Sequence, residues 1–449
     1  MLRPAFALVA LGLTVGCHGA RERDARAAYD ALTASFAARA ETPAPLTSES
    51  PLALYVDLAL ARNATLQAAA QRWRAELERV PQAWALPEPR LSYGGFVEPV
   101  ETRVGPQRHS VALAQRIPWP GKLDAAEALA LERAEAGRAR TETARRRVIA
   151  EVTRAYAALW MLRRELALTE DTLALLQHWE SVAQVRLQAG AAGAHRDVIK
   201  AQVEIGRLED QVQSLRHQRR PRAQRLIALL ALPRTTELPW PARLPERALS
   251  VAPAALLTTF AERSPRRVEL EREVAVRERA LAASRQAYFP DVVLGFTHIN
   301  VGHARSPGVR GSGDDAWIVN AGIDLPVWIG RYAAAVSEAE ARLEAARLER
   351  DALDDGLAAE LAQGLFAYQD AERKLRLYRD SLVPKALQSL EATSAAYETG
   401  AGDFLDLLDA ERALLELHLA QERALADRLT ALADLELLTG SDLAHPLED

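Results

Sequence analysis

The stretch Tyr397–Leu414, YETGAGDFLDLLDAERAL, sets two glycines, Gly400 and Gly402, between two helical patterns. Glycine costs a helix interior about 1 kcal/mol and readily takes the left-handed conformation that ends one, so a helix stops here. Another starts at once. Asp403 is placed to cap its free amides, and Asp406 stands three residues on, where an acid reaches back toward the cap. Leu405, Leu408 and Leu415 follow on one face. The stretch predicts a tight turn between two long helices with carboxylates at its tip. Earlier in the chain Arg186–Glu204 has the same grammar: Gly190 and Gly193, then Asp197, Ile199 and Ala201-Gln202 answering Asp406, Leu408 and Ala410-Glu411 once a one-residue gap is allowed.

Working outward, the composition favours helix: 49% of the 449 residues are hydrophobic but only 6% are aromatic, so Ala and Leu dominate. Charged residues make up 26% with a net charge of −5, which supplies no basic excess for nucleic acid. The single cysteine excludes disulfides within the chain. Residues 1–16 read as a signal peptide: Arg3 begins it, and Ala5–Val15 is an apolar run too short to span a bilayer. Thr14-Val15-Gly16-Cys17 resembles a bacterial lipoprotein cleavage site, in which Cys17 becomes the acylated N-terminus; an ordinary secretory signal with an incidental cysteine is the alternative. Residues 17–51 read as a lipid-anchored tether, and one lipid chain adds membrane affinity without making the chain span.

From Leu52 the chain runs through one plan twice. In the first repeat, residues 52–248, a helix at about 52–80 closes at Pro81, Pro87 and Pro89. The period then changes to two: Leu91, Tyr93, Gly95 and Val97, and after a turn Val111, Leu113, Gln115 and Ile117, alternate with smaller or polar residues. These predict two strands within about 90–117, each roughly nine residues long, close to what crosses a bilayer at a tilt. No proline interrupts Leu123–Gln188, where Val148, Val152, Leu159, Leu162 and Leu166 recur at helical spacing. A helix over 121–188 would be about 100 Å long, the length of a coiled coil or a helical barrel wall. Its partner runs over 194–232. The second repeat, 249–440, answers with helices at about 254–287, 330–398 (kinked at Pro384) and 403–439, and strands at about 291–327; residues 441–449 are left as a tail.

Four strands with open edges do not sit in lipid, where every unpaired backbone group costs several kcal/mol, and they are too few to close on themselves. The chain is therefore expected to oligomerise, each copy giving one sector of a shared transmembrane barrel. Tyr93, Trp119, Tyr288, Phe289, Trp317 and Trp328 fall near strand ends, as interfacial aromatic belts do. A soluble α+β domain with core aromatics is the plainer alternative.

Three features taken together resemble a known family. They are the strand exit Gln115-Arg116-Ile117-Pro118-Trp119-Pro120-Gly121-Lys122, the turn Tyr397…Gly400…Asp406-Leu407-Leu408-Asp409-Ala410, and the internal repeat. Over about Leu52–Gly440 the chain resembles the outer membrane efflux proteins, the TolC-like channels of tripartite export systems; the strand exit looks closest to the branch exporting metal cations and hydrophobic compounds. The resemblance implies a mainly α fold with a transmembrane β sector: a homotrimer with a twelve-stranded barrel and a long α-helical periplasmic barrel. It implies an outer-membrane location in a Gram-negative bacterium. The partners it implies are outer-membrane lipid, a periplasmic adaptor protein and an inner-membrane pump of the resistance-nodulation-division type. It also implies a periplasmic gate in which Asp406 and Asp409 ring the aperture and Tyr397 joins the closing contacts, with Asp403 and Asp197 beside them. A ring of carboxylates focuses a negative field that favours cations and can be blocked by one. The arginine that the family carries four residues before the first ring aspartate is Gly402 here, which leaves Arg196 or Asp197 as substitutes in the polar lock. Helix capping accounts for Asp403 and Asp406 as well, and poorly for Asp409.

No enzyme signature is present, no cofactor is expected, and the scattered histidines offer no paired metal-ligand spacing. His195 reads as a solvated loop residue. With two methionines and one cysteine no soft-metal cage is visible. The reading is a passive conduit carrying small molecules or metal cations from pump and adaptor to the exterior. The alternatives are the outer-membrane channel of a protein or peptide secretion system, a periplasmic adaptor lipoprotein, and a structural coiled coil of the envelope.

Overall fold

The computed structural model describes residues 19–40, 45–191 and 193–446; Cys17 and the signal peptide lie outside them. An N-terminal helix α1 (Ala20–Ala40) fills much of the stretch read as a tether. It packs rather than merely links: Tyr29 is buried edge-on against Trp73, ring centroids 5.3 Å apart. The single helix expected over 52–80 is three, α2 (Leu52–Arg62), α3 (Ala64–Leu77) and α4 (Arg79–Trp84). The break is chemical. The Asn63 carboxamide oxygen accepts from the amides of Thr65 and Leu66 at 3.0 and 3.2 Å, while its nitrogen donates to the Leu229 carbonyl at 2.9 Å. An Asx cap of this kind starts a new helix at less cost than continuing the old one.

The first strand pair is β1 (Arg90–Thr102) and β2 (Gly105–Ile117), followed by the 69-residue helix α5 (Pro120–Gln188) and its partner α6 (Ala194–Leu229). A short strand β3 (Arg247–Leu249) precedes the second pass. There the helix expected over 254–287 is divided into α7 (Pro253–Arg263) and α8 (Pro265–Gln286). Ser264 sits before Pro265 and is held extended (ψ 118°), because a residue ahead of proline is pushed out of the helical region. Strands β4 (Asp291–Val301) and β5 (Ala316–Asp324) follow; β5 stops short of the expected Val327, since Pro326 has no amide to donate. The last helices are α9 (Ile329–Leu377), α10 (Val383–Glu398) and α11 (Phe404–Thr439). Between α9 and α10 the kink expected at Pro384 takes the form of a π-helical turn, Tyr378–Leu382, closed by the Val383 amide on the Tyr378 carbonyl. The wider turn carries the chain past a proline that cannot donate and that crowds the preceding carbonyl. The expected tail forms β6 (Ala444–Pro446), paired antiparallel with β3. Arg247 fastens this end, binding Glu436 at 2.9 and 3.2 Å and Asp442 at 2.5 Å, over a buried Leu443.

Two compact units are distinguished. One comprises Arg72–Arg138 and Glu271–Leu348 with the start of α1, and contains the sheet. Its strands lie in the order β1-β2-β4-β5, each antiparallel to its neighbours, so the two hairpins join through β2 and β4. The other comprises Leu32–Gln71, Ala139–Leu270 and the chain from Glu349 onward, and contains both helical turns. Two buried clusters hold it: one around Phe260, Leu361, Tyr368 and Leu432, and one around Trp179, Leu208, Tyr397 and Phe404. Among the described residues no helix is long and apolar enough to cross a membrane.

Candidate functional site

The glycines place the turns. Gly190, Gly193 and Gly400 all take left-handed backbone (φ 76°, 86° and 79°). Gly402 serves by its smallness: a Cβ there would lie 3.0 Å from the Ala396 Cβ and 3.1 Å from the Tyr397 nitrogen. A side chain as large as the family's arginine therefore has no room without moving the turn. Asp403 caps α11, accepting from the Leu405 amide at 3.1 Å. Asp406 and Asp409 are exposed on the first turns of α11, and Asp409 lies 3.7 Å from Arg412. Asp197 differs from them. It is buried in the first turn of α6, and burial, seconded by the charge of Asp403, holds its carboxyl above the usual range against the pull of Arg196, Arg186 and Lys200. His195 is exposed beside it.

Tyr397 is only 1% exposed, wedged between Trp179 (6.2 Å, edge-on) and Phe404 (5.3 Å). The group that grips it is Arg186, from the last turn of α5. Its Nη1 donates to the Tyr397 carbonyl at 2.7 Å, and its guanidinium lies 4.4 Å from the ring centroid. One arginine thus ties the end of the first hairpin's outgoing helix to the end of the second's. Arg196 and Asp197 are the residues the sequence offers for the lock; Arg186, a basic residue in a helix's last turn, presents itself there first as a dipole partner. A second tie joins α6 to α11. Glu204 of α6 receives Arg412 of α11 through two hydrogen bonds, 2.5 and 3.2 Å, and Arg207 at 3.0 Å, and these hold its carboxyl below the usual range.

The sheet supplies the other candidate surface. Register rows run straight across it: Leu91, Leu113, Phe296 and Val319 in one, Tyr93, Val111, His298 and Trp317 in the next, with Ile117, Val292 and Ile323 further along. Leu91 is 72% exposed and Val319 81%, so this apolar face is bare in the single chain. The opposite face is smaller and more polar, Ile318 being its large apolar exception: Ser92, Ala112, Thr297 and Ile318 share a row, and Arg90, Ala114, Gly295 and Asn320 another. On that face Asn320 donates to Thr297 at 3.1 Å and Arg116 reaches Asp324 at 2.7 Å. β1 and β5 each pair on one side only. At one end of the sheet Trp119 stacks on Phe289 (5.3 Å, 9°), Tyr288 meets Tyr332 at 5.6 Å and Trp328 is exposed; towards the other, Trp317 lies 4.3 Å from His298. A barrel wall has this make-up, with lipid-facing and lumen-facing residues alternating between aromatic girdles.

The family model for outer membrane efflux proteins matches residues 55–232 and 256–441, one segment in each pass of the plan. The chain belongs to the outer membrane efflux protein family. Among its relatives, outer membrane protein OprJ of Pseudomonas aeruginosa is 28% identical over 327 residues, 70% of this chain and 66% of OprJ. The antibiotic efflux pump outer membrane protein ArpC of Pseudomonas putida is 28% identical over 296 residues, 64% of this chain and 58% of ArpC. The chain thus spans less than two thirds of the length of these relatives, 66% of OprJ and 58% of ArpC. The solved structure of CusC superposes with a TM-score of 0.73 over 89% of this chain and 97% of that one; at 17% identity this likeness is one of fold. The fold is that of the TolC-like channels, long helices with a β sector.

Proposed function

We propose that this family member is the outer-membrane channel of a tripartite efflux system: a passive homotrimeric conduit that takes small molecules or metal cations from an inner-membrane pump and a periplasmic adaptor to the exterior. The observation that carries the reading is the sheet, largely apolar on one face, smaller and more polar on the other, and open at both edges. β1 and β2, β2 and β4, and β4 and β5 are each antiparallel, so β5 of one copy would lie antiparallel to β1 of the next. Three four-stranded sheets then close into twelve strands with no free edge and with the smaller, more polar face inward. ArpC is by name an antibiotic efflux pump component, and CusC is described as forming a transmembrane channel, which supports the same role here. The helical turns would form the periplasmic mouth. Exposed Asp406 and Asp409, repeated by threefold symmetry, would set its cation preference, with Asp403 capping the helix that carries them and Tyr397 and Asp197 in the packing behind them. A pump of the resistance-nodulation-division type and a lipid anchor at Cys17 complete the proposal.

Reconstitution tests it. The purified protein in a planar bilayer should give cation-selective conductance blocked by a multivalent cation added on the mouth side. Absence of conductance from correctly folded protein would refute the channel reading.

A further inference from the structure

Glu411 of α11 is 4% exposed, and neither of its carboxylate oxygens has a hydrogen-bond partner. It borders a cavity of about 190 Å³ whose apolar wall includes Leu175 of α5, Leu390 of α10 and Leu414 of α11. Three helices therefore meet at one carboxyl group. Two cations of these helices are already engaged: Arg412, the next residue, and Arg207 of α6 both bind Glu204. Glu204, whose own carboxyl is held low by those arginines, keeps a negative charge facing Glu411. Asp171 of α5 and His418 of α11 also line the cavity, and α10 contributes Leu390 to it. His418 is itself disfavoured as a cation, by burial first and then by Arg164, with Glu422 opposing. No fixed positive charge among these groups is left for an ionised Glu411. The first pass of the plan has Gln202 at the matching position, exposed and donating to Glu180 at 2.9 Å, so only the second hairpin buries an acid here.

We propose that Glu411 is a proton-operated latch for the second hairpin: neutral, it lets α10 and α11 close on α5, and ionised, it opens that seam. Ionisation would put a bare charge in an apolar wall facing Glu204, and the relief available is to part the helices and admit water. Burial, with Glu204 second, pushes the carboxyl up to about 7, within the range a periplasm experiences. The sign follows from linkage. The closed form holds a proton that the open form releases, so closure is fully favoured below the ordinary carboxyl range, weakens as pH rises from there towards about 7, and levels off above it.

Hydrogen exchange on the full-length protein in detergent tests the latch without requiring that it conduct, so a failure here is distinct from a failure of the channel reading. Corrected for intrinsic rates, exchange along α10 and the first half of α11 should rise about tenfold between pH 6 and 8.5. In Glu411→Gln it should stay flat at the protected level, and Glu411→Met, which also carries no charge, guards against misfolding of the first variant. Equal pH profiles in wild type and both variants would overturn the proposal. So would a profile abolished by His418→Gln but untouched at Glu411, which would assign the titration to the imidazole.

Discussion

Asp403, Asp406 and Asp409 lie within seven residues of one another and do different work. Asp403 bonds a helix amide, whereas Asp406 and Asp409 face solvent. Asp403→Ala should therefore cost about 1 kcal/mol, seen as a lower thermal midpoint and faster exchange in the first turn of α11. The double change Asp406→Ala, Asp409→Ala should leave stability within about 0.5 kcal/mol and relieve multivalent-cation block in single-channel recordings. Equal block in that variant would remove the gating role and leave these acids as part of a solvated helix face. The cap was legible in sequence because its partner is two residues away. The burial of Asp197 and the hold of Arg186 on Tyr397 were not, because each depends on which helices meet after the chain has turned back. Glu411 was legible only as the counterpart of Gln202; that one is buried and the other exposed is a property of the packed bundle.

At the scale of elements, periodicity located the helices and strands, and local chemistry cut them. Pro384 was a visible signal and forces a π turn, whereas Pro265 divides a helix that the apolar spacing carries unbroken over 254–287. Asn63 was a less obvious one, since an asparagine inside an amphipathic pattern declares itself as a cap only when its carboxamide is seen to bridge to Leu229. Alternation gave the strands, but nothing in it says that β2 pairs with β4, because that contact joins hairpins far apart in the chain. The register makes a sharp prediction. Val319→Lys, on the apolar face, should destabilise the folded protein in lipid by about 2–4 kcal/mol if the substitution falls near mid-bilayer. Ala112→Lys, on the opposite face, should be tolerated. Urea unfolding from liposomes compares the two, and equal losses would contradict the assignment of faces.

For the whole molecule, the duplicated plan was readable because the chain repeats its turn, its strand exit and its order of elements, and the family match falls as two segments on that duplication. A four-stranded sheet with a bare apolar face and two open edges is stable in lipid only when its edges are paired. The most direct measurement is to place a cysteine at Ser92 on β1 together with one at Ile318, Asn320 or Gly322 on β5, in a Cys17→Ser background, and oxidise the protein in native membranes. Closure predicts that at least one pairing gives a denaturation-resistant ladder ending at three linked chains. Chains that stay single in all three pairings, or a ladder running past three, would contradict it.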